Sequence, residues 1–103
     1  QAKKFGVRAP MVGHMGDGNF HVVLPFDPKN KESYKKIRAF NDTLIRKALE
    51  LNGTITGEHG VGLHKKEYLL EQHPDNIPVM KSIKRTLDPN NIMNPGKIFD
   101  LNW

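Results

Sequence analysis

Cysteine is absent from this chain of 103 residues, which excludes disulfide bonds, thiolate metal sites and cysteine nucleophiles. No apolar run approaches the ~20 residues that a membrane-spanning helix needs, and no signal peptide is visible. With 37% hydrophobic residues, the chain is long enough for one small domain with a modest core. These features favour a cytoplasmic protein, with peripheral attachment to a membrane as the alternative.

Positive charges outnumber negative ones and give a formal net charge of +5 at pH 7. Such a balance attracts anionic partners, including nucleic acid. The lysines are scattered through the predicted helices, however, and no aromatic residues alternate with them, which is typical of a solvated surface. We therefore expect no nucleic-acid partner, and keep a non-catalytic module that binds an acidic partner as an alternative function.

Two histidines bracket a turn sequence in the run HMGDGNFH at residues 14–21. Asp-Gly between two apolar stretches is a strong signal for a β-hairpin, because a type I′ turn needs positive φ at both central positions. A turn centred on Asp17 and Gly18 places His14 directly opposite His21, on the same side of two antiparallel strands. Two imidazoles in that arrangement can bind one metal ion. The alternative is a pair of hydrogen-bonded surface histidines.

A long amphipathic helix follows the hairpin, because apolar residues recur at three- and four-residue spacing on a charged background. Asp27 is predicted as its N-cap, with Pro28 at the first helical position. Asn52-Gly53 is predicted to end it in a left-handed C-cap. Two shorter helices are expected later in the chain, one ending at His73-Pro74 and one running from Asn76 to Asp88-Pro89. The apolar face predicted for the last helix consists of Val79, Met80, Ile83 and Leu87.

Residues 54–56 are rich in β-branched side chains, which predicts a short strand leading into the glycine-rich run GEHGVG at residues 57–62. If that strand joins the sheet of the hairpin, Glu58 is the best third ligand for the two histidines. Imidazole nitrogen and carboxylate oxygen suit zinc and similar divalent ions. His59 is the side chain best matched to proton transfer near neutral pH, and its alternative role is packing within a turn.

Three motifs occur in order along the chain: HMGDGNFH at residues 14–21, GEHGVG at residues 57–62 and DPNNIMNPGKIF at residues 88–99. Together they resemble the C-terminal end of the FAD-linked oxidases, which include D-lactate dehydrogenase, the glycolate oxidase flavoprotein subunit and D-2-hydroxyglutarate dehydrogenase. The resemblance implies an α+β fold, with an antiparallel sheet and packed helices forming part of a ferredoxin-like domain. It also implies that residues 1–103 are a single domain, the C-terminal fragment of a longer oxidoreductase whose FAD-binding domain lies outside them. The first residue, Gln1 rather than Met, agrees with that expectation.

The resemblance assigns roles to individual residues. His14, His21 and Glu58 are expected to bind a divalent metal, Zn or Mn. His59 is expected to take the hydroxyl proton of the substrate, and Asn94 to lie near the flavin ring. Val23 occupies a position at which some members carry an asparagine that contacts substrate, which disfavours 2-hydroxyglutarate as the substrate.

The implied function is FAD-dependent oxidation of a small 2-hydroxy acid, of D-lactate or glycolate type, to the 2-oxo acid. The implied partners are this substrate, the flavin domain of the same chain and an electron acceptor that the sequence does not identify. Self-association into a homo-oligomer is left open. A stand-alone metal hydrolase that uses the same residues, without flavin, is a further alternative.

Overall fold

The computed structural model describes residues 1 to 103 and has an α+β composition, which confirms the predicted fold class. Four helices and two strands make up the fold: α1 (Ala2–Phe5), β1 (Met11–His14), β2 (Asn19–Val22), α2 (Lys31–Glu50), α3 (Lys66–Gln72) and α4 (Ile77–Leu87). The chain divides into two compact units, Gln1–Gly53 and Thr54–Trp103. No helix combines the length and the apolar character that crossing a bilayer requires.

Helix α2 dominates the first unit and begins later than the sequence predicted. Asp27 accepts a hydrogen bond from the Lys29 amide and the Asn30 amide donates to the Asp27 carbonyl, so residues 27–30 form a turn with Pro28 at its second position. Asn30 is the N-cap instead, because its side chain accepts from the backbone amides of two residues in the first helical turn. The prediction of Asp27 as N-cap was therefore wrong.

The end of α2 agrees with the prediction. Asn52 adopts the left-handed conformation at φ 59°, its amide donates to the carbonyl of Leu49, and the Gly53 amide donates to the carbonyl of Ala48 at 2.7 Å. This pair of bonds is the Schellman arrangement, which satisfies carbonyls at a helix end. Upstream, the helix buries Phe40, against which the ring of Phe5 packs edge-on at 6.0 Å between centroids.

The second unit has Ile55, Leu69 and Ile77 as its buried apolar residues. Residues 54–56 do not form the predicted strand. The side chain of Gln72, at the end of α3, accepts hydrogen bonds from the Ile55 amide and the Thr54 hydroxyl. The backbone donor that a sheet ladder would need is thus taken by a side chain, and the sheet of this structure contains only β1 and β2.

Helix α4 lies where the third helix was expected, but it buries a different face. Ile77 and Lys81 are buried. Of the predicted apolar residues, Met80 is half-buried, whereas Val79, Ile83 and Leu87 are exposed. On the buried face Lys81 donates a hydrogen bond to the carbonyl of Trp103. The orientation of a helix depends on the polar contacts of its side chains as well as on the spacing of its apolar residues.

Candidate active site

The hairpin in the first unit carries both predicted metal-binding histidines, with a register that differs from the expected one. Its strands pair His14 with Asn19 and Val12 with His21. The connection is a four-residue loop that contains a single 3₁₀ turn, closed by a hydrogen bond from the Gly18 amide to the Met15 carbonyl. A two-residue type I′ turn at residues 17–18 was therefore the wrong prediction, and His14 and His21 are not directly opposed.

The register nevertheless keeps the two histidines on one face of the hairpin. It is shifted by two positions, and side chains two residues apart on a strand point to the same side. His14 and His21 are thus diagonal neighbours, for which separations of about 7–8 Å or less between Cβ atoms are usual. Two imidazoles that bind one ion must share a face, and the register meets this requirement. His14 and His21, the residues of this unit that would hold a metal ion, fit such an ion because both offer imidazole nitrogen and both lie on one face of the hairpin.

Gly13 allows the two strands to lie this close. A Cβ atom at this position would lie 2.4 Å from the carbonyl oxygen of Asn19 and 2.5 Å from the Cα of Phe20. The Val23 amide donates to the Pro10 carbonyl, and hydrogen-bonded pairs alternate along an antiparallel ladder. Gly13 and Phe20 therefore occupy a narrow, non-hydrogen-bonded pair between the two histidine positions.

Glu58 and His59 lie in the second unit, exposed on the glycine-rich loop that follows residues 54–56. The hydroxyl of Thr56 donates to the Gly60 carbonyl at 2.9 Å, which closes the loop around these two side chains. Lys65 Nζ in turn donates to the Thr56 hydroxyl at 2.8 Å, and burial lowers the pKa of that lysine. The carboxylate of Glu58 and the imidazole of His59 are therefore carried by a loop that is closed by hydrogen bonds.

Asn94 lies in the C-terminal turn of the second unit, which is also held in a defined conformation. It is exposed and left-handed at φ 45°, and its carbonyl accepts a hydrogen bond from the Lys97 amide. An exposed amide group that can both donate and accept fits the polar edge of a flavin ring. Four residues further on, the Ile98 amide donates to the Gly62 carbonyl at 2.8 Å. This bond joins the Asn94 turn to the end of the loop that carries Glu58 and His59.

Asp88, which the sequence predicted as the end of a helix and the start of the motif at residues 88–99, organises the C-terminal turn, a role that the sequence did not predict. The Asp88 carboxylate is buried and accepts hydrogen bonds from the amides of Ile92 and Met93, each at 2.9 Å. Lys84 also donates to this carboxylate. The hydrogen bond from Lys84, assisted by those from the two backbone amides, holds the pKa of Asp88 below its usual value. The four-residue spacing from Lys84 to Asp88 was the signal available in the sequence.

The family model and the similar proteins point to the same family. The family described as FAD linked oxidases, C-terminal domain, has a model that matches residues 1–98. The probable mitochondrial D-lactate dehydrogenase of Danio rerio is 46% identical over 96 residues, which cover 92% of this chain and 19% of that protein. The glycolate oxidase subunit GlcD of Bacillus subtilis is 42% identical over 99 residues, which cover 95% of this chain and 21% of that protein.

A third relative carries a different substrate in its name. The D-2-hydroxyglutarate dehydrogenase of Stutzerimonas stutzeri is 44% identical over 90 residues, which cover 84% of this chain and 19% of that protein. The chain spans about a fifth of the length of the curated relatives it matches.

Proposed function

Because this chain belongs to the C-terminal domain family of the FAD-linked oxidases, we propose that it supplies metal ligands and a proton acceptor for the oxidation of a small 2-hydroxy acid. The observation that carries the proposal is the hydrogen bond from the Ile98 amide to the Gly62 carbonyl. It ties the loop of Glu58 and His59 to the turn of Asn94, so the proton acceptor and the residue assigned to the flavin belong to one connected framework.

His14 and His21 from the hairpin, with Glu58 from the glycine-rich loop, are the residues that would hold a divalent ion, Zn or Mn. Two imidazoles and one carboxylate form a donor set that such ions favour while coordination positions stay open. The ion would supply Lewis acidity toward the hydroxyl and carboxylate oxygens of the substrate. The shared face of the two histidines, kept by the hairpin register, supports this assignment.

His59 would accept the proton of the substrate hydroxyl at a ring nitrogen. Neutral imidazole is the base best matched to that task near pH 7. The ligand atoms of Glu58 and His59 lie within 4.8 Å of one another. We assign the carboxylate to the metal and the imidazole to the substrate hydroxyl, whose proton a neutral imidazole can accept.

Asn94 would hold the edge of the flavin, and the flavin would supply the acceptor for a hydride from the substrate carbon. The reaction balances when the hydroxyl proton goes to His59 and the Cα hydrogen leaves with its electron pair, so that the C–O single bond becomes a carbonyl. The product is the 2-oxo acid. Relatives named for D-lactate and for glycolate support a small 2-hydroxy acid as substrate. Val23, which is exposed and apolar on the hairpin, favours such a substrate over 2-hydroxyglutarate.

The test uses the flavin-loaded protein that contains this chain, with metal content and dye reduction by D-lactate and glycolate as readouts. His14→Ala and Glu58→Gln should lose bound metal, because each removes one of three ligands. His59→Gln should retain metal and flavin while the oxidation rate falls about 10²–10⁴-fold, the usual contribution of a general base.

His64→Ala is the matched control, since His64 is an exposed histidine of the same unit that carries no proposed role. It should match the unmodified protein in metal content and rate. Undiminished metal in His14→Ala would contradict the ligand assignment. Absence of oxidation of any 2-hydroxy acid by the unmodified protein would contradict the proposed function, and ester hydrolysis without flavin would favour the metal hydrolase instead.

A further inference from the structure

The turn that follows α4 is organised by one buried carboxylate. Asp88 Oδ1 accepts a hydrogen bond from the Ile92 amide, and Oδ2 accepts from the Met93 amide, both at 2.9 Å. The side chain of Asp88 is 4% exposed, so it has little contact with solvent. A buried, charge-assisted acceptor for two consecutive amides restricts the backbone strongly.

Lys84 completes the arrangement from the last turn of α4. Its Nζ donates both to Asp88 Oδ2 and to the carbonyl of Met93. The amide and the carbonyl of Met93 are therefore both held, one by the carboxylate and the other by the ammonium group. Met93 directly precedes Asn94, so the peptide that leads into Asn94 has little freedom to rotate.

The segment beyond Met93 adopts backbone conformations that need such support. Asn94 has φ 45° and Ile98 has φ 70°, and a β-branched residue at positive φ is a genuine outlier. Strained backbone persists only where surrounding contacts determine it, and it concentrates at functional sites. This segment is held at one end by Asp88 and Lys84 and at the other by the hydrogen bond from the Ile98 amide to the Gly62 carbonyl.

We propose that Asp88 is a positioning residue for the oxidation reaction, acting through the backbone of Met93 to set the place of Asn94 against the flavin. The inference rests on the proposed function and adds to it a residue that touches neither substrate nor cofactor. Lys84 shares the role, because it neutralises the buried carboxylate and binds the same peptide from the other side.

The test compares Asp88→Asn with Asp75→Asn in the flavin-loaded protein that contains this chain. Asparagine has nearly the shape of aspartate but replaces one acceptor oxygen by an NH₂ group, so either the Ile92 amide or the donors of Met93 and Lys84 lose their acceptor. Asp75 is an exposed carboxylate of the same unit, so its variant controls for the charge change. The readouts are the visible absorption spectrum of the flavin and the rate of its reduction per bound flavin.

Asp88→Asn should shift the flavin spectrum and slow reduction by about 10-fold to 100-fold, in line with the cost of misplacing a reacting group by ~1 Å. The KM for the acid should stay within about twofold, because Asp88 does not bind substrate. Asp75→Asn should match the unmodified protein. A purely structural role would lower the amount of folded flavoprotein and leave the spectrum and rate per bound flavin unchanged.

Lys84→Met provides a second measurement if Asp88→Asn does not fold, because it leaves both amide bonds to Asp88 in place. It should show a smaller change in the same direction, and Lys84→Arg should restore part of the rate. Variants that fold with the spectrum and rate of the unmodified protein would overturn the positioning role. An unmodified protein that binds flavin but oxidises no 2-hydroxy acid would instead refute the proposed function.

Discussion

Gly13→Ala is expected to separate the two strands of the hairpin. The added Cβ would lie 2.4 Å from the Asn19 carbonyl oxygen and 2.5 Å from the Phe20 Cα. Nonbonded carbon atoms prefer separations of about 3.5–4.0 Å, so the strands must move apart by roughly 1 Å. Both contacted atoms belong to backbone, which cannot rotate away as a flexible side chain would.

A movement of this size weakens the adjacent ladder. The hydrogen bond from the Val23 amide to the Pro10 carbonyl is 2.9 Å long, and an extra ångström takes such a bond beyond the usual range. Overpacking of this kind costs about 1–3 kcal/mol. For a chain of this length each kcal/mol lowers Tm by roughly 4–8 °C.

Gly16→Ala is the matched control, because Gly16 lies in the same hairpin with nothing within 4 Å of an added Cβ and without a positive φ. Its free energy of unfolding should stay within about 0.5 kcal/mol of the unmodified value. Thermal unfolding by circular dichroism measures the global effect, and hydrogen exchange of the hairpin amides measures the local one. If Gly13→Ala matched Gly16→Ala in both Tm and amide protection, the close-approach argument would be refuted.

Three further substitutions test separate contacts. Asn30→Ala removes the side-chain cap of α2 and should lower the free energy of unfolding by about 1 kcal/mol in a urea titration, whereas Asp27→Ala should cost less because Asp27 lies outside the helix. Gln72→Leu leaves the amide of buried Ile55 without its acceptor and should cost about 1–3 kcal/mol in the same titration. Because its pKa is lower in the folded state, Asp88 contributes stability above its ordinary pKa of about 3.9 and loses it as the pH falls through the folded value. Asp88→Asn should therefore flatten the fall of Tm below about pH 5.

Each of these expectations has a contrary outcome. Equal midpoints for Asn30→Ala and Asp27→Ala would show that the cap hydrogen bonds add nothing. An unchanged midpoint for Gln72→Leu would mean that Ile55 finds another acceptor. A Tm that falls equally steeply with acid in Asp88→Asn would assign the acid sensitivity to other carboxylates.

The hairpin shows which structural features local sequence signals can predict. Glycine and aspartate between apolar stretches predicted a turn at residues 14–21, and a hairpin is present there. The register was wrong, because Gly18 closes a 3₁₀ turn instead of forming half of a two-residue turn. The common face of His14 and His21 survived, since the register shift was an even number of residues.

Helix α4 shows a different limit. Its position was predictable because the signals that begin and end a helix are local. Its buried face was not, since Lys81 and Lys84 on that face bind carbonyls and a carboxylate from later in the chain, and these partners are not visible in the apolar spacing. The strand predicted at residues 54–56 is absent for a related reason, because the amide of Ile55 donates to the side chain of Gln72 from α3.

By itself the sequence determined the class of the chain, the places of the long and the last helix, the family and the residue types suited to its chemistry. These follow from short-range propensity, ordered motifs and an absence of cysteine. Only the tertiary structure decided the hairpin register, the role of Asp88 and the hydrogen bond from Ile98 to Gly62. The physical reason is that a buried polar group takes whichever partner the folded chain brings near it, and sequence spacing does not specify that partner.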